Sequence, residues 1–462
     1  MSVRPEALYS FPHTCFRLNL VLLTEDPFKM SLIQLPEELL DHIVDIAVDG
    51  VEWGRPSRER DLGVSLSLVC RALLPCARRL LYRQPLSGRS TWKRAILLHK
   101  RLAARGGALA KLVRNLDALD LWHAALAVLP LNGAHAFQMR GMPDAFAWQT
   151  SVLGLCSNLR RIACAMDSMP QATKLLRALG PSMASLSHVK LSTTRWDDSG
   201  SSFDGAVACH FLGNLHRAGC ALQGLALPGV DPSGIKQARM PQLEHNLEEL
   251  AINMAKYLGD PTSFSVFLPV QVGILRKLDI DVPLQTTAAD LQYLLTRVGG
   301  SLTTLRIASI WRKSTAYRYS RYGIGFTGPV LPLEAISLFP FLEHLTLERI
   351  GALSIARLQL LAQHCGANLR HLDASCSNWV ADDGSSVLHS PGWHKRVFPE
   401  HRVAEILGNF ARLETVNLGR VPVRATDGLG HLEAAMQQMD VDLRYEQCHA
   451  RCEGCGSYHA DG

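Results

Sequence analysis

The stretch Leu302-Thr303-Thr304-Leu305-Arg306-Ile307 decides how this chain is read, because its pattern, L-x-x-L/V-x-L/I, keeps returning. Strict copies also begin at Leu186, Leu222, Leu247, Leu275, Leu342 and Leu413. Two looser copies, Leu159 to Cys164 and Leu369 to Ala374, end in Cys or Ala. Successive starts are 27, 36, 25, 28, 27, 40, 27 and 44 residues apart, so a unit of 27 or 28 residues recurs with insertions.

In each copy the last two apolar residues stand two apart, the spacing of a strand that buries one face and presents the intervening residues on the other. Between copies the period changes. Leu291, Leu294, Leu295 and Val298, and again Leu358, Leu361, Ala362 and Cys365, fall at i, i+3, i+4 and i+7, which predicts a helix in each gap. Gly219, Gly300 and Gly366 stand just before the next copy and are expected to end those helices with positive φ. One strand–helix unit cannot cover its own apolar face, so the units must stack into a curved parallel sheet with helices outside.

This pattern resembles the leucine-rich repeat family of the helix-bearing, ribonuclease-inhibitor-like kind, over about residues 105 to 445. Two departures stand out. The family's Asn after the third leucine is missing from nearly every copy, and the intervals of 36, 40 and 44 imply insertions into an irregular solenoid.

Upstream, Leu35-Pro36-x-Glu38-Leu39-Leu40-x-x-Ile43 reads as a helix start, with Pro36 at the first helical position and Glu37 and Glu38 at the positive end of the dipole. Leu39, Leu40, Ile43, Val44 and Ala47 form one apolar stripe. A polar insert, Asp49 to Arg60, precedes Leu66, Val69, Cys70 and Leu73, and Pro75 opens a third helix with Leu80, Leu81 and Tyr82. Three short helices have little interior of their own, so apolar surface is left for a partner. The segment, with Val69-Cys70-Arg71 and Leu80-Leu81-Tyr82-Arg83, resembles an F-box, although Leu73 stands where that family commonly has Trp. The resemblance implies docking onto a Skp-type adaptor, and through it a cullin complex, by Leu35, Pro36, Leu39, Leu40, Ile43, Val44, Val69, Cys70 and Leu73.

The expected organisation is therefore an extension (1–30), an F-box-like three-helix module (31–84), a repeat solenoid (85–445) and a Cys/His-containing tail (446–462). A helix around Trp92, Ala95, Ile96, Leu98 and Leu102 leads into a degenerate first repeat, Val113 to Ala118. Trp311 to Pro332 and Ser375 to Pro399, the latter carrying Trp379, read as long breaks that either contact a target or are insertions.

With 47% hydrophobic and 19% charged residues the chain is ordered and globular, and a net charge of +6 without a long basic run gives no argument for nucleic acid. Phe16 to Leu23 is too short to span a membrane. Cys15, Cys70, Cys76, Cys156, Cys164, Cys209, Cys220, Cys365 and Cys376 are scattered, as small core residues of a reducing compartment, cytoplasmic or nuclear, would be. No P-loop, H-E-x-x-H, G-x-S-x-G or dinucleotide fingerprint occurs, so neither an enzyme nor a cofactor is expected. Cys448, Cys452, Cys455 and His459 are either a zinc-binding tail or an unstructured end.

The residues between the apolar positions of each copy should line the face away from the helices. From these, Lys190, Asn253, Lys277, Asp279, Arg306, His344, His371 and Asp373 are the candidate contacts for an unidentified target protein. Their mixed signs suit a protein surface rather than a polyanion. The sequence thus points to a substrate receptor, monomeric outside its complex, or to a repeat scaffold without a ligase connection.

Overall fold

In a computed structural model of the chain, residues 74–85, 92–117, 145–192, 203–227, 230–231, 247–253, 274–283, 287–310, 331–348, 350–375, 377–379, 398–421 and 429–447 are described. Two compact units are distinguished, Met1–Arg78 and Arg79–Gly462. Of the first, only the beginning of helix α1 (Leu74–Arg83) is described, so the adaptor-docking residues Leu35, Pro36, Leu39, Leu40, Ile43, Val44, Val69, Cys70 and Leu73 lie outside the described residues.

The second unit alternates strand and helix. After α2 (Trp92–Ala103) come β1 (Asn115–Asp117), α3 (Ala145–Leu155), β2 (Arg161–Ala165), α4 (Met169–Leu179), β3 (His188–Ser192) and β4 (Phe203–Asp204). Next follow α5 (Gly205–Arg217), β5 (Gly224–Leu227), β6 (Val230–Asp231), β7 (Glu249–Asn253), β8 (Lys277–Pro283), α6 (Ala288–Val298) and β9 (Thr304–Ile310). The chain continues through α7 (Leu333–Ile336), β10 (His344–Glu348), β11 (Gly351–Leu353), α8 (Ile355–Cys365), β12 (His371–Asp373) and β13 (Asn378–Trp379). It closes with α9 (Glu400–Leu407), β14 (Thr415–Val421), α10 (Gly430–Gln438) and β15 (Asp442–Gln447).

Thirteen strands form one open sheet, and the main path β1-β2-β3-β5-β7-β8-β9-β10-β12-β14 follows chain order, with β15 continuing it from β14. Every pair along that path is parallel. All nine copies of the phrase become strands of this path. The sheet is the parallel, repeat-built one the periodicity predicts.

Register explains why the phrase is needed. Leu116, Ile162, Val189, Leu225, Leu250, Leu278, Leu305, Leu345, Leu372 and Val416 lie side by side across successive strands. Each is at most 3% exposed. The helices bury their predicted stripes into the same core, including Leu291, Leu294, Leu295 and Val298 of α6 and Leu358, Leu361 and Cys365 of α8. Residues of this core are packed at interior density, so each ladder side chain is worth about 2–5 kcal/mol against truncation to Ala.

A backbone device repeats with the phrase. The carbonyl of its second residue accepts two N–H bonds from the next unit: Arg276 O takes Thr303 N and Thr304 N at 2.8 and 3.0 Å, and Thr303 O takes Glu343 N and His344 N at 2.8 and 3.0 Å. Hydroxyls just before the phrase reach back one unit, Ser185 Oγ to Leu159 O at 2.9 Å and Ser301 Oγ to Leu275 O at 2.7 Å. Such bonds satisfy carbonyls that would otherwise be left without a donor at a strand start.

Three expectations are corrected. Of the three marker glycines only Gly219 adopts positive φ (77°). Gly366 is helical, and a Cβ there would run into Ala362 O and lie 3.1 Å from Asn409 O, so close approach is what requires glycine. Gly300 sits inside the 3-10 turn Gly299–Ser301. Trp379, read as part of a loop facing a target or an insertion, is 4% exposed, donates its indole N–H to Leu418 O at 3.1 Å and meets Phe398 edge-on at 4.8 Å. It is core.

Cys156, Cys164, Cys209, Cys220 and Cys365 are buried free thiols. Burial pushes Cys156, Cys164, Cys209 and Cys365 up to about 12 and Cys220 to about 11, far from the thiolate that reacts. Residues 448–462, with the candidate zinc ligands, and the break at 311–330 lie outside the described residues. No helix among the described residues is long and apolar enough to cross a membrane.

Candidate partner-binding face

Alternation along each strand sends the ladder residues to the helices and the residues between them to the other side, called here the front face. Register arranges these into cross-strand rows. One row runs Arg161, His188, Gly224, Glu249, Lys277, Thr304, His344, His371, Thr415, and a second runs Ala163, Lys190, Ala226, Ala251, Asp279, Arg306, Thr346, Asp373, Asn417. Seven of the eight candidate contacts fall in these rows. Asn253 falls in a third, beside Asp281.

The strongest electrostatic feature centres on Arg306. Its Nη1 donates to Asp279 Oδ1 at 2.6 Å and to Asp281 Oδ1 at 2.9 Å, and its Nη2 to Glu348 Oε2 at 2.8 Å. The four side chains are only 32% to 36% exposed. Burial works against the Arg306 charge, but the Glu348 hydrogen bond and the charges of Asp279 and Asp281 overcome it and raise the guanidinium above its ordinary value. At Asp281 burial prevails: although Arg306 favours the ionised carboxyl, desolvation and the like charges of Asp279 and Glu348 raise it above the usual range. Three carboxylates share one cation, and the least compensated responds.

His344 and His371, in register on adjacent strands, stack with centroids 4.5 Å apart and planes 13° from parallel. Stacked rings run their nitrogens side by side instead of converging them on a point. His371 Nδ1 lies 2.8 Å from Thr415 Oγ1, and its Nε2 is 3.6 Å from Glu414 Oε2, which also belongs to the carboxylate that accepts from Arg370 at 3.3 Å. Asp373 turns inward on the chain, accepting from Ser375 N at 2.8 Å. Among the described residues no cluster of three or more His, Cys, Asp or Glu is placed to hold a metal.

Towards β2 and β3 the row is different. His188 is 7% exposed and its Nδ1 lies 2.8 Å from Ser187 Oγ, while its ring occupies the space a Cβ on Gly224 would need. Burial, then the positive charges of Arg161 and Lys277, lower it to about 4, so it is neutral near pH 7. Among the described residues Lys190 of β3 and Lys277 of β8 form no ion pair, and both are half-buried.

Alternation along the strands also places Asp281 and Glu348, the partners of Arg306, on this face, although they are not among the eight candidate contacts. The signal was present as period-two spacing: each stands two residues past a front-face position of its own strand. Glu414 was missed because it belongs to no front-face row, being the second residue of its phrase.

No protein-family model matches the sequence, and no curated protein matches it. Among solved structures, the fold is similar to the crystal structure of the Rad7 and Elc1 complex in yeast, at a TM-score of 0.35 and 10% identity, over 83% of this chain and 93% of that chain.

Proposed function

We propose that this protein is a non-catalytic substrate receptor of a Skp-cullin-F-box type ubiquitin ligase, docking on the adaptor through residues 31–84 and holding a target protein on the front face of its sheet. The observation that carries the reading is the order of parts: a segment with the F-box pattern Leu35 to Ile43 and Val69-Cys70-Arg71, followed by a parallel repeat sheet whose front face carries two rows of polar residues from β8 to β14. A receptor contributes position. Holding the target near a ligase-bound donor converts a bimolecular encounter into a nearly intramolecular one. Lys190, Asn253, Lys277, Asp279, Arg306, His344, His371 and Asp373 are the proposed target contacts.

Co-purification with a Skp-type adaptor tests this. The full chain should retain the adaptor, and Leu39→Asp with Ile43→Asp should lose it by at least about tenfold, since charges on a buried docking stripe leave ions without partners. Failure of the full chain to retain the adaptor favours the scaffold reading, in which the repeats bind a partner with no ligase attached.

A further inference from the structure

The front face is open over only part of its length, and that part has a definite sign. This step rests on the reading that the face holds a protein. On β8 to β12 the carboxylates of Asp279, Asp281, Glu348 and Asp373 stand against the cations Arg306 and Lys277, four charges against two, while Glu414 and Arg370 pair with each other. Among the described residues the local charge is therefore negative, on a chain whose net charge is +6. Arg306 is already spent on three acceptors, so it cannot neutralise the surplus. The raised Asp281 carboxyl has the same origin, and a further cation nearby would relieve it.

Accessibility limits where such a cation can enter. Front-face residues of β2, β3 and β5 are largely closed, with Ala163 at 5%, His188 at 7% and Ala226 at 8% exposure. Those around Arg306 are more open, at 32% to 36% of side-chain surface. Beside them the stacked imidazoles of His344 and His371 add a flat, half-buried surface on β10 and β12. A planar guanidinium can lie on such rings and bond a carboxylate in bidentate fashion, which an ammonium cannot do.

We propose that the target presents a basic, arginine-bearing segment to the front face of β8, β9, β10 and β12, with a guanidinium seated between Asp281 and Glu348. Electrostatic complementarity of this kind sets register and on-rate more than total affinity.

The test uses the full chain and a defined probe, fluorescein-labelled hexa-arginine, with hexa-lysine and hexa-glutamate as comparisons, followed by anisotropy at low ionic strength where surface charges are least screened. Hexa-arginine should bind more tightly than hexa-lysine, and hexa-glutamate should not bind. Asp281→Asn with Glu348→Gln should weaken hexa-arginine by about tenfold, whereas Lys174→Gln, on the exposed side of α4, should leave it within about twofold. The double variant leaves Arg306 paired with Asp279; if its thermal midpoint falls, Glu348→Gln alone is the deciding variant. Equal binding by wild type and the folded variant, no binding of hexa-arginine, or preference for hexa-glutamate each overturns the proposal. The adaptor assay separates this failure from failure of the ligase reading: adaptor retained with no peptide response sinks only the basic-segment proposal, and the reverse result sinks only the docking role.

Discussion

Strands β2, β3 and β5 and strands β8, β9, β10 and β12 are built from the same phrase and share one register, yet their front faces differ in what they do with polar groups. The first region closes: His188 lies neutral across Gly224, and Ala163, Ala165 and Ala226 on the same face are buried. The second stays half-open and keeps its charges, with Arg306 holding three carboxylates and two imidazoles stacked alongside. The lesson is that the repeat specifies only the ladder side. What the other side becomes depends on residues the phrase leaves unspecified.

If that is right, the ladder sides must be equivalent. Leu225→Ala in the first region and Leu345→Ala in the second should each cost about 2–5 kcal/mol in denaturant unfolding, because both remove a fully buried side chain from one continuous core. A large asymmetry would mean the two regions differ in packing and not merely in their front faces.

Acid should separate them next. His188, held at about 4 against an ordinary 6.5, favours the neutral form in the folded chain. As pH falls below about 6.5 the unfolded chain takes up a proton that the folded chain refuses, so stability declines until about pH 4, by about 2–3 kcal/mol. Asp281 has the opposite sign: its raised carboxyl protonates first in the folded state, so its penalty diminishes as pH falls through that raised value. Unfolding curves of His188→Gln should lose most of the decline over that window.

Overpacking gives a smaller contrast. Gly224→Val should destabilise by about 1–3 kcal/mol, since its Cβ enters the His188 ring, whereas Thr346→Val on the half-open region should stay within about 0.5 kcal/mol. Smallest is Arg306→Gln, expected to cost about 1 kcal/mol after solvent screening, with the loss shrinking in high salt as the three carboxylates are shielded.

The ladder was legible because burial leaves a periodic mark. Leu, Ile or Val every repeat betrays a strand start even when the interval stretches to 44 residues. β15 escaped because Asp440, at φ 58°, stands where the other copies carry their first leucine; Leu443 still pairs with Val416 and Tyr445 follows two residues on. Trp379 escaped for another reason: its partners Phe398 and Leu418 are distant in sequence and carry no shared period. The front face was half legible. Alternation identified which side chains stand there, but His188's enclosure depends on Gly224 in the neighbouring strand, and the triple use of Arg306 depends on Asp279 and Asp281 from one side and Glu348 from the other.

The doubly used carbonyl at the second residue of every copy but the last makes alignment a local transaction between neighbours. A connecting stretch can grow from 27 residues to 44 without disturbing it, since nothing in the contact measures the length of chain in between. Such a body can be lengthened, shortened or spliced by whole modules, the cut ends finding the same grip on whatever copy comes next.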